Sequence, residues 1–274
     1  MEKDRSLSRW VPAEVRQDIP SAARIYDYLL GGYHNFECDR MAVEQLLERL
    51  PHMRQTAQVN RMFLRRAVNF LLDHGIDQFL DIGSGIPTAG NVHEIVHARN
   101  PEAVVVYVDI DPTAVAHSAV MLVDEPNAAT IRADVRDVDA ILKNKAVNQL
   151  IDFNRPAALM LVALLHYVTD DDEAYQTVDT YIDTLAPGSF MAMSHTATEA
   201  VPDSKENFGR GLRAVSSTRS RSREEISRFF RDLSVVEPGI VLTPLWRPEG
   251  PDDILLDEPE KGFTMAGIGM KPAK

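Results

Sequence analysis

The chain has 274 residues, 45% hydrophobic and 26% charged, a composition ordinary for a soluble globular protein and long enough for one large α/β unit or a core with a smaller cap. Its 29 basic and 41 acidic residues give a formal charge of −12, which argues against a duplex nucleic-acid partner. The single cysteine, Cys38, excludes an intramolecular disulfide and a cysteine-built zinc cluster; the charged start Met1-Glu2-Lys3-Asp4-Arg5-Ser6 lacks a signal-peptide core, and the longest apolar run, 157–165, is too short to span a membrane, so a cytoplasmic protein is expected.

Residues 1–20 are polar and carry Pro12 and Pro20, the pattern of a loosely held arm. Ser21 then caps a short predicted helix that Gly31-Gly32 stops. The stretch around that pair is dense in Tyr26, Tyr28, Tyr33, His34, Asn35 and Phe36. It reads either as a helical arm packed on the core or as a lid in which Tyr26, Tyr28 and Phe36 exclude water from a ligand. Residues 41–74 are helical, with one apolar stripe through Val43, Leu46, Leu47 and Leu50, a break at Pro51, and a second stripe from Val59 to Leu71.

From residue 76 the rhythm becomes alternating strand and helix. A short buried strand ends in Asp81-Ile82-Gly83-Ser84-Gly85, a turn expected to open a helix over 88–99. Glycines at this point permit a tight turn and close approach of a ligand beyond the carboxyl end of a strand. A dinucleotide site would need a third glycine where Thr88 stands, and Asp81 would repel a pyrophosphate; the carboxylate suits instead the cationic amino group of S-adenosylmethionine. His93 and His97 lie one turn apart on the next helix, without the surrounding pattern of a metal site, and none is expected.

The second strand, 103–108, ends at Asp109, 26 positions after Gly83, where a carboxylate can accept hydrogen bonds from both ribose hydroxyls. Asp111-Pro112 opens a helix. A third strand closes on Ala133-Asp134-Val135, where Asp134 either takes an adenine amino group or caps the next turn. The apolar run 156–167 reads as a strand buried on both faces, and the acids Asp170 to Glu173 as a helix start. A fifth strand covers 189–195. Residues 196–232 form an arginine-rich excursion, with Arg210, Arg213, Arg219, Arg221, Arg223, Arg228 and Arg231, that is either a solvated face or a site for an anionic substrate. Residues 233–243 resemble one kinked strand and 263–270 the last strand.

Three stretches, Arg24 to Phe36, Phe79 to Asn91 and Val105 to Pro112, make the chain similar to an actinobacterial family of S-adenosylmethionine methyltransferases once catalogued as a domain of unknown function. The resemblance runs from about residue 20 to the C-terminus. It implies a Rossmann-like class I methyltransferase: α/β, a seven-stranded, mostly parallel sheet with helices on both faces, an N-terminal arm and helical cap over 1–75, and a cofactor-binding core over 76–274. It implies S-adenosylmethionine as cofactor, its amino-acid end at Asp81, Gly83 and Gly85, its ribose at Asp109 and its adenine near Asp134. Ser84, Ile110 and Val135 beside these residues, and Tyr26, Tyr28, Asn35 and Phe36 of the cap, complete the expected cofactor contacts. Pro87 stands where the superfamily turn has a third glycine. His166 and His195, at the ends of strands four and five, are the candidate general bases, because imidazole titrates near neutrality. The expected reaction is O- or N-methylation of a small molecule, an anionic one being admitted by the arginines. The rival reading is a non-catalytic protein that binds S-adenosylmethionine as a sensor.

Overall fold

The fold is taken from a computed structural model, which describes residues 14–87, 90–200 and 217–273. Seven strand positions form one sheet in the order β3-β2-β1-β4-β5-β8-β6. The strands are β1 (Gln78–Ile82), β2 (Val104–Asp109), β3 (Ala128–Arg132), β4 (Ala158–Val162), β5 (Phe190–Thr196), β6 (Ser234–Val235), β7 (Val241–Leu242) and β8 (Thr264–Met270). β1 to β5 run parallel, and β8 is antiparallel to β5. β6 and β7 both pair with β8, at Met270 and Gly269 and at Ala266 and Met265, so they are two pieces of one edge strand. The break falls at Pro238-Gly239, where proline offers no N–H and Gly239 takes a positive φ of 91°. The expected kinked strand is thus observed, and it makes eight segments of a seven-position sheet.

The parallel strands are apolar on both sides because both faces are covered. Leu80, Ile82, Val106, Val108, Leu159 and Leu161 share one core with α8 (Asp171–Thr184). Phe79, Val105, Tyr107, Ala158, Met160 and Ala192 share the other with α3 (Met53–Asp73). In α3 the second stripe of the sequence is buried as expected, and Phe63 and Phe70 meet Trp246 edge-on, at ring separations of 5.2 and 5.9 Å. Each such fully buried side chain contributes about 1.5–3 kcal/mol. Asp170 caps α8 by accepting from the Glu173 N–H, and Lys271 donates to the carbonyls of Ile182, Asp183 and Leu185 at its other end, where a cation suits the helix dipole.

Two boundaries differ from expectation. The helix after the glycine turn, α4 (Val92–Arg99), begins only after Asn91, whose N–H is bound by Glu94; Thr88 lies outside the described residues. The apolar run 156–167 leaves the sheet after Val162: Ala163 takes a positive φ of 54° and residues Leu165–Tyr167 form a 3-10 turn. Apolarity alone did not reveal that exit, because Leu164 and Leu165 are buried or half-buried outside the strand as well.

The cap is α1 (Ala22–Leu29) and α2 (Glu37–Arg49), joined by Gly31 to Phe36. Its buried hub is Asp39, fully enclosed, which accepts from Arg24 Nε (2.7 Å), Ser21 N (3.0 Å) and Phe36 N (2.8 Å), so it ties the starts of both helices together. Asp27 does the same for the connection, accepting from His34 N and Asn35 Nδ2, both at 2.9 Å. A Cβ on Gly32 would collide with the Asp27 carboxylate. Gly32→Ala is therefore expected to destabilise the protein by about 1–3 kcal/mol, as overpacking does; urea unfolding indistinguishable from wild type would contradict this role for the pair. The cap meets the core where Ser21 Oγ donates to Asp111, itself the N-cap of α5 (Pro112–Met121), and where His34 rests on His117, their rings 4.0 Å apart.

Candidate functional site

Beyond the carboxyl ends of β1, β2, β3 and β4, on either side of the point where the strand order reverses, lies a cavity of about 390 Å³. α1 covers it with Ser21, Ala22 and Tyr26. Asp81, Gly83, Ser84, Gly85, Asp109, Ile110, Asp134 and Val135 all line it, brought together from three strand ends.

The turn works as its glycines require. Gly83 and Gly85 have φ of 72° and 69°; a Cβ on Gly83 would lie 2.5 Å from Leu164, whereas at Gly85 the space is open. Asp109 accepts from Gly85 N (2.7 Å) through one oxygen and from Asp111 N (2.8 Å) through the other, which fixes the carboxylate and leaves each oxygen a second lone pair. Asp81 and Asp109 are 5% and 8% exposed. Burial pushes Asp81 up to about 7, partly offset by Arg61, and Asp109 up to about 6. Two costly buried carboxylates at the mouth of a cavity suit a ligand that brings positive charge and hydroxyl donors. Ile110 is 58% exposed, an apolar face at the rim for a flat ring. Asp134 is gripped by Arg136, which donates through N, Nε and Nη2, and this pair holds the carboxyl below its usual range. The alternative expectation is met as well: the Asp134 carboxylate caps the turn that follows it by accepting from Arg136 N (2.9 Å), while Asp137 caps α6 (Val138–Leu142), which α7 (Lys145–Leu150) follows.

The cap residues divide. Tyr26 lines the cavity, its hydroxyl donating to Ala57 O and accepting from Asn60 Nδ2 at 2.9 Å. Asn60 in turn accepts from Ser194 Oγ at 2.5 Å, which ties α1, α3 and β5 at one point. Tyr28, Asn35 and Phe36 do not line the cavity. Tyr28 packs under Arg54 and bonds Glu44, Asn35 closes the Asp27 loop, and Phe36 lies under Arg24. A helix shows only one face to its partner; Tyr26 has that face, and Tyr28, two residues on, is turned away.

The two histidines also separate. His195 is fully buried and lines neither the large cavity nor the smaller chamber beside it. Arg221 Nη1 donates to its Nε2 (2.9 Å), so Nδ1 carries the proton and donates to Thr196 O (2.8 Å). Burial holds it well below the ordinary value, with both nitrogens occupied, so the general-base expectation for His195 is corrected to a structural one. His166 is 5% exposed and does line the smaller chamber; burial, then Arg221, lowers it to about 3.

The arginine-rich excursion is likewise structural where it is described. Arg221 is wholly buried and pairs with Asp171 at 2.9 Å; Arg219 pairs with Asp171 and Glu225; Arg231 pairs with Asp179. α9 (Arg223–Arg228) sets Arg228 over the Tyr175 ring. Arg210 and Arg213 lie outside the described residues. His93 and His97 bond Tyr107, and Glu125 and Ala103 O, respectively. Among the described residues no cluster of three or more metal-ligating side chains occurs, and no helix is long and apolar enough to cross a membrane.

Sequence reasoning missed Asn60. Its signal was present: Asn60 lies between Ala57 and Leu64 at helical spacing, a polar residue on a buried face. Arg61 lines the cavity as well and offsets part of the rise at Asp81.

This strand order, with an antiparallel strand inserted beside β5 and an acid-and-glycine cavity at the strand ends, defines a class I methyltransferase. The chain belongs to the S-adenosyl methyltransferase family, whose model matches residues 8–272. It is therefore an S-adenosylmethionine-dependent methyltransferase. A Thermobifida fusca YX protein provisionally called a methyltransferase is 44% identical and superposes with a TM-score of 0.88 over 93% of this chain and 96% of its own. A DUF574 family protein from Streptomyces avermitilis MA-4680 is 35% identical, TM-score 0.88, over 94% and 100%. An O-methyltransferase family protein from Burkholderia thailandensis shares the fold at 15% identity, TM-score 0.54, over 81% and 60%. No curated protein matches the chain.

Proposed function

We infer that the larger cavity is the cofactor site and that the enzyme methylates an oxygen or nitrogen of a small molecule. What carries this reading is the pair of buried carboxylates, Asp81 and Asp109, at the glycine turn under α1. The residues fit the cofactor: Asp81 offers charge to its ammonium, Asp109 has lone pairs free for two hydroxyls, Ile110 and Val135 flank the rim for a base, and Asp134 can accept from an exocyclic amine. When bound, S-adenosylmethionine supplies an electrophilic methyl group. The chain contributes position and dryness: Tyr26, pinned by Asn60 and Ala57, closes the cavity from above, and Ala163 and Leu164 bound it from below. The helical cap over the cavity favours a small acceptor over a polymer. Incubation with methyl-tritiated S-adenosylmethionine and a cell extract, split by size, is the test. Label in the small-molecule fraction is expected; label confined to protein or nucleic acid would overturn it.

A further inference from the structure

A second chamber of about 80 Å³ lies between α1, α2, α3 and the 3-10 turn. It shares Ala22, Tyr26, Asn60, Ala163 and Tyr167 with the larger cavity, so one wall serves both. Its far side is apolar: Ile25, Leu29, Leu46, Met53 and Ala57. Among the described residues no Asp, Glu, Lys or Arg lines it. Two of its lining side chains, His166 and Thr196, each carry a buried polar atom, Nδ1 and Oγ1, with no hydrogen-bond partner among the described residues. An unsatisfied buried polar group costs about 1–3 kcal/mol, so two on one small chamber call for an occupant.

We propose that this chamber is the methyl-acceptor subsite, and that it takes a short, uncharged apolar group bearing one hydroxyl, which His166 and Thr196 hold by hydrogen bonds. The assignment rests on the larger cavity holding the cofactor. A volume of about 80 Å³ suits a group of a few heavy atoms. Among the described residues the lining offers a carboxylate or phosphate no cation, and an unpaired buried charge costs several kcal/mol, so this lining favours a neutral group over the anionic acceptor. The two cavities adjoin at their shared residues, where an acceptor oxygen held in the chamber would approach the methyl group of a cofactor in the larger cavity. Its lone pair forms the new O–C bond as the S–C bond breaks, and the electron pair stays on sulfur, leaving a neutral thioether. The hydroxyl proton passes to His166 Nδ1. The imidazole is neutral before the step, and a methylated hydroxyl is a far stronger acid than imidazolium, so even a weakly basic ring can take the proton.

The test uses the whole protein with ¹⁵N-labelled histidine, saturated with S-adenosylhomocysteine and titrated with 1-propanol, propionate or propylammonium. Saturable 1-propanol shifts of the His166 ring are expected, with no such response to the two ions. Thr196→Val, which keeps the chamber's shape, should weaken 1-propanol about fivefold or more, the worth of one hydrogen bond or more, while S-adenosylhomocysteine affinity and melting temperature hold. Tighter binding of propionate, or 1-propanol binding indifferent to Thr196→Val, would overturn the assignment. If S-adenosylhomocysteine fails to bind while 1-propanol behaves as stated, the cofactor reading falls and the chamber remains a neutral-ligand site.

Discussion

Asp81→Asn is expected to stabilise the cofactor-free protein at pH 8 and to weaken S-adenosylmethionine binding. Both effects follow from one buried carboxyl. Its folded value is near 7, against 3.8 in the open chain, because burial disfavours the charge. Between about pH 4 and 7 the folded state therefore holds a proton that the unfolded state has lost, and stability falls as pH rises through that window. Asp109, at about 6, adds in the same sense between about pH 4 and 6. The combined loss is of the order of several kcal/mol, since each tenfold gain in a carboxylate's proton affinity on folding is worth about 1.4 kcal/mol. Asn removes the Asp81 share, so the melting temperature above pH 7 should rise and its pH dependence flatten. Binding runs the other way. A cationic ammonium needs the ionised carboxylate, so wild-type affinity should climb from pH 5 to 7. Losing a buried charge pair costs about 2–5 kcal/mol, about 30-fold or more in affinity. Calorimetry and thermal melts from pH 5 to 8 read both; a variant that is neither more stable nor weaker-binding would contradict the placement of Asp81.

Arg221→Met is expected to cost about 3 kcal/mol or more of unfolding free energy, because at least three buried acceptors lose their donor at about 1–3 kcal/mol each. They are Leu165 O (3.1 Å), Val168 O (2.9 Å) and His195 Nε2 (2.9 Å). Asp171 is 37% exposed and can return to water, so the damage lies in those acceptors more than in the lost ion pair. Leu165 and Val168 bracket His166 and Tyr167, so the side chains between the two cavities should loosen as well. Urea unfolding measures the first effect. A change below about 1 kcal/mol would show that water replaces the guanidinium, and the structural role given to the excursion would fail.

The strand–helix alternation, the glycine turn and the acid ending β2 were legible because each is a local rule: a period, a positive φ, a strand end. The kinked edge strand was legible for the same reason. The Arg24 to Phe36 stretch was recognisable by resemblance but not interpretable. Its aromatics looked like ligand contacts, yet Asp27 and Asp39, the residues that shape it, act through partners 3 to 18 positions away, most of which only folding brings together. Arg221 was hidden similarly: an arginine in a basic stretch reads as solvated until its partners are seen on β4's exit turn, α8 and β5. His166 and His195 looked alike at two strand ends, and only packing distinguishes a ring with both nitrogens bonded from one whose Nδ1 has no partner among the described residues.

The central claim is that Asp81 and Asp109 frame an S-adenosylmethionine site. Calorimetric titration of wild type and Asp109→Ala with S-adenosylhomocysteine and with NAD tests it most directly. Binding of the first alone, sharply weakened by the substitution, is the predicted result. Binding of NAD, or S-adenosylhomocysteine affinity unchanged in Asp109→Ala, would contradict it.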